Sequence, residues 1–199
     1  GRTFISKGMV KRAKKLARQN IDKIKNLINS ENVLVGIEPS TLLSFRDEYP
    51  SLVEEDIELL NSNIYLFDEF FAKEIDENNI SAEQFTQKAE KILLHGHCQQ
   101  KALIGTEYME KMLSLPKNYS VEVIPSGCCG MAGSYGYEKR HYEKSKQIAD
   151  LHLTKAINKA DKSTIISAPG TSCREQIKHF TQRKALHPIE IMYNALKTK

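Results

Sequence analysis

The chain has 199 residues, 40% hydrophobic and 27% charged, which suits one or two globular units with true cores and argues against a disordered chain. A net charge of +4 is too small to point to nucleic acid, no apolar run reaches the length of a membrane span, and none follows the basic N-terminal segment as a secretory signal would. Four cysteines in such a chain read as reduced thiols rather than a disulfide framework, so a cytoplasmic setting is expected, with the inner face of a membrane reached only through partners.

Residues 2–25 carry nine basic side chains and one acid, Asp22. Val10, Ala13, Ala17, Ile21, Ile24 and Ile28 recur among them at helical spacing, which predicts a helix over 8–30 with the lysines on its solvated face. A short apolar strand follows at 33–37, closed by Glu38-Pro39. Residues 47–77 then hold eleven acids and one base, Lys73. Leu52, Ile57, Leu59 and Leu60 mark a buried stripe among them, so helices are expected around 42–60, followed by an apolar segment at 64–67 and helical stretches up to residue 91. Both charged runs read as solvated faces rather than docking surfaces.

The second half is more regular. Strand KILL leads into a helix over 99–113, strand VEVI into a Gly-rich loop and a helix over 138–158, strand TIISA into a helix over 173–181, and a last helix covers 187–197. Strand and helix in alternation predict an α/β fold, a parallel sheet with helices on both faces. The halves also resemble each other: ENVLVGIEPSTLLSFRDEY laid beside STIISAPGTSCREQIKHFT places Ser40-Thr41 on Ser172-Cys173, and Gly1 then aligns with Gly130. Two pseudo-repeats of Rossmann-like character are expected. Residues 1–88 would be a truncated repeat with a vacant site, its own cysteine pair falling before Gly1, and 89–199 a repeat that carries the cysteines.

Every cysteine stands where a strand hands over to a loop or helix: Cys98 after KILLHGH, Cys128 and Cys129 after VEVIPSG, and Cys173 after TIISAPGTS. In an open parallel sheet the ligand crevice lies at the carboxyl ends of the strands, so three distant motifs can converge there. Four thiolates at one point suit an iron-sulfur cluster or zinc, and a metal-free thiol redox module is the third reading. Gly127, Gly130 and Gly133 permit a turn tight enough for two adjacent cysteines to face one centre, which a regular strand forbids. The bland competitor for each cysteine is a small buried hydrophobe. His95 and His97 read as hydrogen-bonding loop residues, with ligation the alternative. His141, His152, His179 and His187 read as surface or packing residues, Glu138 and Glu175 as helix-start carboxylates, and Tyr135 and Tyr137 as a cover over the site. No catalytic residue is assigned. The glycines at 130, 133 and 136 do not make a dinucleotide fingerprint, and neither a phosphate-loop lysine motif nor a nucleophile elbow is present, so NAD, ATP and hydrolase chemistry are not expected.

The motifs HGHCQQKALIG, SGCCGMAGSYGYE and GTSCREQI resemble the cysteine-rich CCG domain of iron-sulfur oxidoreductases. The likeness is nearest to the C-terminal region of fused FAD-linked oxidases of the D-lactate dehydrogenase and glycolate oxidase iron-sulfur type, and GRTFISKG and GIEPSTLLSFRDEY extend it into the first half. It implies a [4Fe-4S] cluster on Cys98, Cys128, Cys129 and Cys173. It further implies electron transfer for an oxidoreductase acting on a small 2-hydroxy acid such as D-lactate or glycolate, with FAD on an upstream domain. The flavin and ferredoxin-like domains would be the partners, and this stretch alone would not be catalytically complete. Two departures stand out. The family signature ends in C-x-x-C, yet its first position here is Gly170, which leaves four cysteines and not the five of an unusual cluster. Thr41 stands where related sequences often carry a cysteine. A structural zinc site and a metal-free thiol module remain the alternatives.

Overall fold

Ala13, Ala17 and Ile21, four residues apart, form the buried stripe of helix α1 (Val10–Ile24), whose other faces are lysine and arginine. The computed structural model describes residues 1–197 and divides into two units, Gly1–Phe67 and Asp68–Lys199. In the first, α1 ends earlier than the periodicity predicts. Asn29 accepts the backbone N–H groups of Glu31 and Asn32 through its side chain, at 2.9 Å each, an Asx-type turn that competes with helix.

Strands β1 (Leu34–Gly36) and β2 (Ile64–Leu66) fall on the two expected apolar segments and pair in parallel, Leu34 opposite Ile64. The acidic stretch between them is not a pair of long helices but a series of single turns, Pro39–Leu42, Tyr49–Leu52 and Glu58–Asn61. Pro39 and Pro50 each occupy a first turn, where a missing N–H is harmless, and neither lets a helix run through it from upstream. Leu43, Tyr49, Ile64 and Leu66 fill the core, and Asn20 donates to the buried Tyr49 hydroxyl at 2.8 Å. The two charged runs meet across this unit: Lys14 lies 2.8 Å from Glu54, Arg2 3.0 Å from Glu48 and Lys25 3.6 Å from Glu55. The runs are therefore partners as well as solvated faces, although exposed pairs of this kind add little stability.

The second unit begins within α2 (Phe67–Asp76) and is built on β3 (Glu90–Leu94), β4 (Tyr119–Val123), β5 (Ile165–Ser167) and β6 (Ala185–Leu186). All pair in parallel in the order β4-β3-β5-β6, with Ile92 opposite both Val121 and Ile165. Consecutive residues Ile92, Leu93 and Leu94 are all buried, so the sheet is covered on both faces, as a parallel sheet requires. The α/β expectation with parallel sheets holds. Two predicted helices are each broken in two. Residues 99–113 become α3 (Cys98–Leu103) and α4 (Glu107–Leu113), parted at Gly105 with φ +79°. Residues 138–158 become α5 (Tyr142–Leu151) and α6 (Leu153–Lys159), parted at His152. Helix α7 (Thr171–Thr181) and helix α8 (Pro188–Ala195) lie close to expectation. His187 caps α8 by accepting from the Ile189 N–H, and Glu190 accepts the His187 N–H at 2.7 Å. No helix among the described residues is long and apolar enough to cross a membrane.

The strand order places the site. The chain leaves β3 toward β4 on one side and then crosses to β5 on the other, so the order reverses between β3 and β5. In an open parallel sheet the loops at the carboxyl ends diverge at such a point, and ligands bind there.

Candidate metal centre

His95, the first residue past β3, continues the ladder by donating its N–H to Ser167 O at 2.8 Å, and its ring is fully buried. His97 is extended and caps α3, its Nδ1 accepting from the Gln99 N–H at 3.3 Å. Cys98 is thus the first helical residue of α3 and is the one exposed cysteine. Lys101, one turn along, reaches across to Ser126 O and, at 3.0 Å, to Gly127 O. It ties α3 to the loop that follows β4.

That loop holds Cys128, half-buried, and Cys129, 4% exposed. Gly130 turns it with φ +96°, and its N–H donates to Cys128 Sγ at 3.3 Å. Ser145 of α5 donates to Gly130 O at 2.8 Å, and Gln176 of α7 donates to Cys129 O at 3.1 Å and to Ser145 Oγ at 2.7 Å. These buried side chains satisfy backbone groups that no sheet or helix reaches. Cys173, 2% exposed, lies in the first turn of α7, whose entry is held by Arg174 donating to Ala168 O and Pro169 O at 3.0 and 2.6 Å.

The side chains of Cys98, Cys128, Cys129 and Cys173 lie near enough to one another for each to influence its neighbours' ionisation. A ring nitrogen of His95 and the sulfurs of Cys129 and Cys173 all lie within 4.8 Å of one another. Hydrogen bonds from Cys129 and Cys98, with the Gly130 N–H, pull the Cys128 thiol well below its ordinary pKa. A bond from Cys129, helped by His95, does the same for Cys173 against its burial. The donors move the other way: Cys98 is raised by its bond to Cys128 and then by burial, Cys129 by its bonds to Cys128 and Cys173 and then by burial. Burial draws the Lys101 ammonium down, while all four thiols hold it up. The surroundings therefore favour the thiolate, the form that binds metal, at Cys128 and Cys173, and the protonated thiol at Cys98 and Cys129.

Gly170 occupies a crowded place. A side chain there would put Cβ 2.6 Å from the His97 ring and 3.2 Å from Cys173 Sγ, so the His97 ring fills the room in which a cysteine at 170 would stand.

Other expectations fare differently. Tyr135 stacks on His141 with centroids 3.8 Å apart, and Tyr137 is exposed. Glu138 pairs with Arg140 at 2.8 Å. Lys101, Ser126 and Gln176 lie within the three cysteine motifs, yet the sequence assigns them no role; they support the site together with Ser145, which lies outside the motifs. Gln176 has a readable signal, since it lies three residues after Cys173 and so shares its helical face. Ser145 has none. Lys101→Met is expected to release the loop carbonyls and weaken metal retention by about 10- to 100-fold, as loss of a group supporting a ligand does. Lys101→Arg should restore part of it. Metal loss to a chelator, with circular dichroism as the fold control, measures both.

Residues 92–178 match the family model described as a cysteine-rich CCG domain. The second unit is thus similar to a CCG domain. The match begins in β3 and ends in α7, so it encloses all four cysteines. Similar proteins extend beyond it. The chain is 29% identical over 193 residues to a D-2-hydroxyglutarate dehydrogenase of Escherichia coli (strain K12), covering 96% of this chain and 18% of that protein. It is 30% identical over 182 residues to the enzyme of that name from Pseudomonas putida, covering 89% of this chain and 17% of that one. It is 27% identical over 197 residues to one subunit of the anaerobic glycerol-3-phosphate dehydrogenase of E. coli (strain K12), covering 98% of this chain and 49% of that polypeptide. The chain thus spans under a fifth of the two former relatives and about half of the last. In these dehydrogenases the region that contains the CCG domain is one part of a larger protein. No solved structure matched significantly.

Proposed function

We propose that the CCG domain holds a [4Fe-4S] cluster on Cys98, Cys128, Cys129 and Cys173 and passes electrons within a larger FAD-linked dehydrogenase. One observation supports this reading: the four cysteines stand on three loops at the carboxyl edge of one sheet, and the buried sulfurs of Cys129 and Cys173 lie within 4.8 Å of each other. Thiolates are the donors iron-sulfur clusters take, and a bound cluster supplies one-electron transfer. The protein's own groups do the rest. Cys98 and Cys173 stand in the first turns of α3 and α7, at the positive ends of the helix dipoles, Gly130 donates its N–H to Cys128 Sγ, and the Lys101 cation, held at Ser126 O and Gly127 O, interacts with the thiols. Each offsets negative charge at the sulfurs. Gln176 and Ser145 fix the backbone of the cysteine pair, so that the donors are positioned before anything binds.

The substrate belongs to the whole protein. The relatives' names support a 2-hydroxy acid with a second carboxylate, D-2-hydroxyglutarate, ahead of D-lactate or glycolate. A flavin on another domain would take the hydride, and the CCG domain would relay its electrons to an acceptor, at the inner face of a membrane if a partner places it there. Residues 1–88 fit the role of a first repeat with a vacant site. They hold no cysteine, and the path β1, helix, β2, α2 has the same order as β5, α7, β6, α8.

Iron and acid-labile sulfide, measured with electron paramagnetic resonance on protein made and kept without air, test the proposal. About four irons and four sulfides per chain are expected. One zinc per chain and no colour would replace it with a structural zinc site. Four thiols that alkylate freely, without metal release, would replace it with a thiol module.

A further inference from the structure

His95 is wholly buried, and buried imidazole nitrogens are normally satisfied. Its Nδ1 lies 2.7 Å from Ser126 Oγ, while Nε2 has no hydrogen-bond partner among the described residues. This is the only ring of the two in HGHC in that position, since His97 spends its Nδ1 on capping α3. The backbone on both sides of the His95 contact is pinned: His95 N donates to Ser167 O, and Lys101 holds Ser126 O. The ring therefore cannot turn away cheaply to satisfy Nε2 elsewhere.

Ser126 Oγ has Ile124 O as a second neighbour at 3.4 Å, an acceptor able to take the hydroxyl proton. In the tautomer whose Nδ1–H donates to Ser126 Oγ, the lone pair is on Nε2. A ring nitrogen lies within 4.8 Å of both Cys129 and Cys173 sulfurs. An imidazole that can give one N–H to an oxygen while its other nitrogen is buried without a partner, in a ring beside two buried thiols, has the arrangement of a metal-ligating histidine.

We propose that His95 Nε2 is a nitrogen ligand of the metal centre, beside Cys129 and Cys173. The inference rests on the reading of the cysteine site as a metal centre, and it changes that site from all-sulfur to mixed sulfur and nitrogen donors. The nitrogen lies on the buried side, and Cys98 on the exposed side. Cys98 is then the donor that a mixed set can best spare.

The test uses the chain labelled with ¹⁵N-histidine, prepared without air and brought to its paramagnetic state. Pulsed electron paramagnetic resonance is expected to show the strong nitrogen coupling of a bonded imidazole, retained in His97→Ala and lost in His95→Ala. Because the coupling is read first in the unaltered chain, a variant that fails to fold does not spoil the result. No coupling, or only the weak coupling of an N–H donating to a sulfur, overturns the proposal. Iron and sulfide content answers the separate question of the cluster. If both are absent, cobalt(II) alone is the probe: X-ray absorption should show imidazole scattering in its shell, and an all-sulfur shell overturns the assignment of His95.

Discussion

Cys173→Ser is expected to abolish metal loading, a larger effect than the about 10- to 100-fold loss caused by disturbing a group that merely supports a ligand. Cys173 is 2% exposed, and its sulfur lies within 4.8 Å of the Cys129 sulfur and a His95 ring nitrogen, so it sits at the buried side of the centre. Serine nearly matches its size, and α7 keeps the Arg174 and Gln176 hydrogen bonds that anchor it, so the fold should survive. A hydroxyl does not ionise at neutral pH and is a harder donor than a thiolate. Iron and sulfide per chain after anaerobic preparation, beside an unchanged far-ultraviolet spectrum, are the measurements. Cys129→Ser should behave alike. Cys98→Ser should lose less, because Cys98 is exposed and stands at the rim. Equal loss at rim and core would mean that exposure does not rank the donors.

Gly130→Ala is expected to be the most destabilising single-methyl change in the second unit. Gly130 has φ +96°, a conformation that costs a side chain about 1–3 kcal/mol. The added Cβ would stand 2.2 Å from Ser145 O, a backbone atom in the middle of α5, which cannot move without moving the helix. Overpacking of this kind costs a further ~1–3 kcal/mol. The change also presses on Gln176 Nε2, 3.1 Å away, and so on the bond that holds Cys129 O. Gly127→Ala is the control three residues earlier: nothing lies within 4 Å of its Cβ, and the effect should stay within about 0.5 kcal/mol. Chemical denaturation of both variants compares them, and equal stabilities would remove the steric account of the turn.

Much of the second unit was legible because its signals are local. KILL, VEVI and TIISA are apolar runs of strand length, and each became a strand within two or three residues of its expected place. Cysteines at the ends of such runs point to the carboxyl edge of a sheet by topology alone. Elements that depend on distant partners were harder to read. Strand β6 has two residues, and its only distinction is the pairing of Ala185 with Ile166. The acidic stretch has helical composition, yet its prolines cut it into single turns, and its acids face the lysines of α1. The role of Gln176 depends on a carbonyl 47 residues away.

The amino-acid order alone determined the alternation of strand and helix, the parallel sheet, and the placing of Cys98, Cys128, Cys129 and Cys173 at strand ends, because these follow from periodicities of two and 3.6 residues and from where glycine permits a turn. Tertiary structure alone decided that the Cys129 and Cys173 sulfurs come within 4.8 Å, that His95 keeps a buried nitrogen without a partner while His97 caps a helix, and that Lys101 bridges to the carbonyls of another loop. Hydrogen-bond satisfaction in a packed interior is a property of atoms brought together from distant parts of the chain, and no local pattern records it.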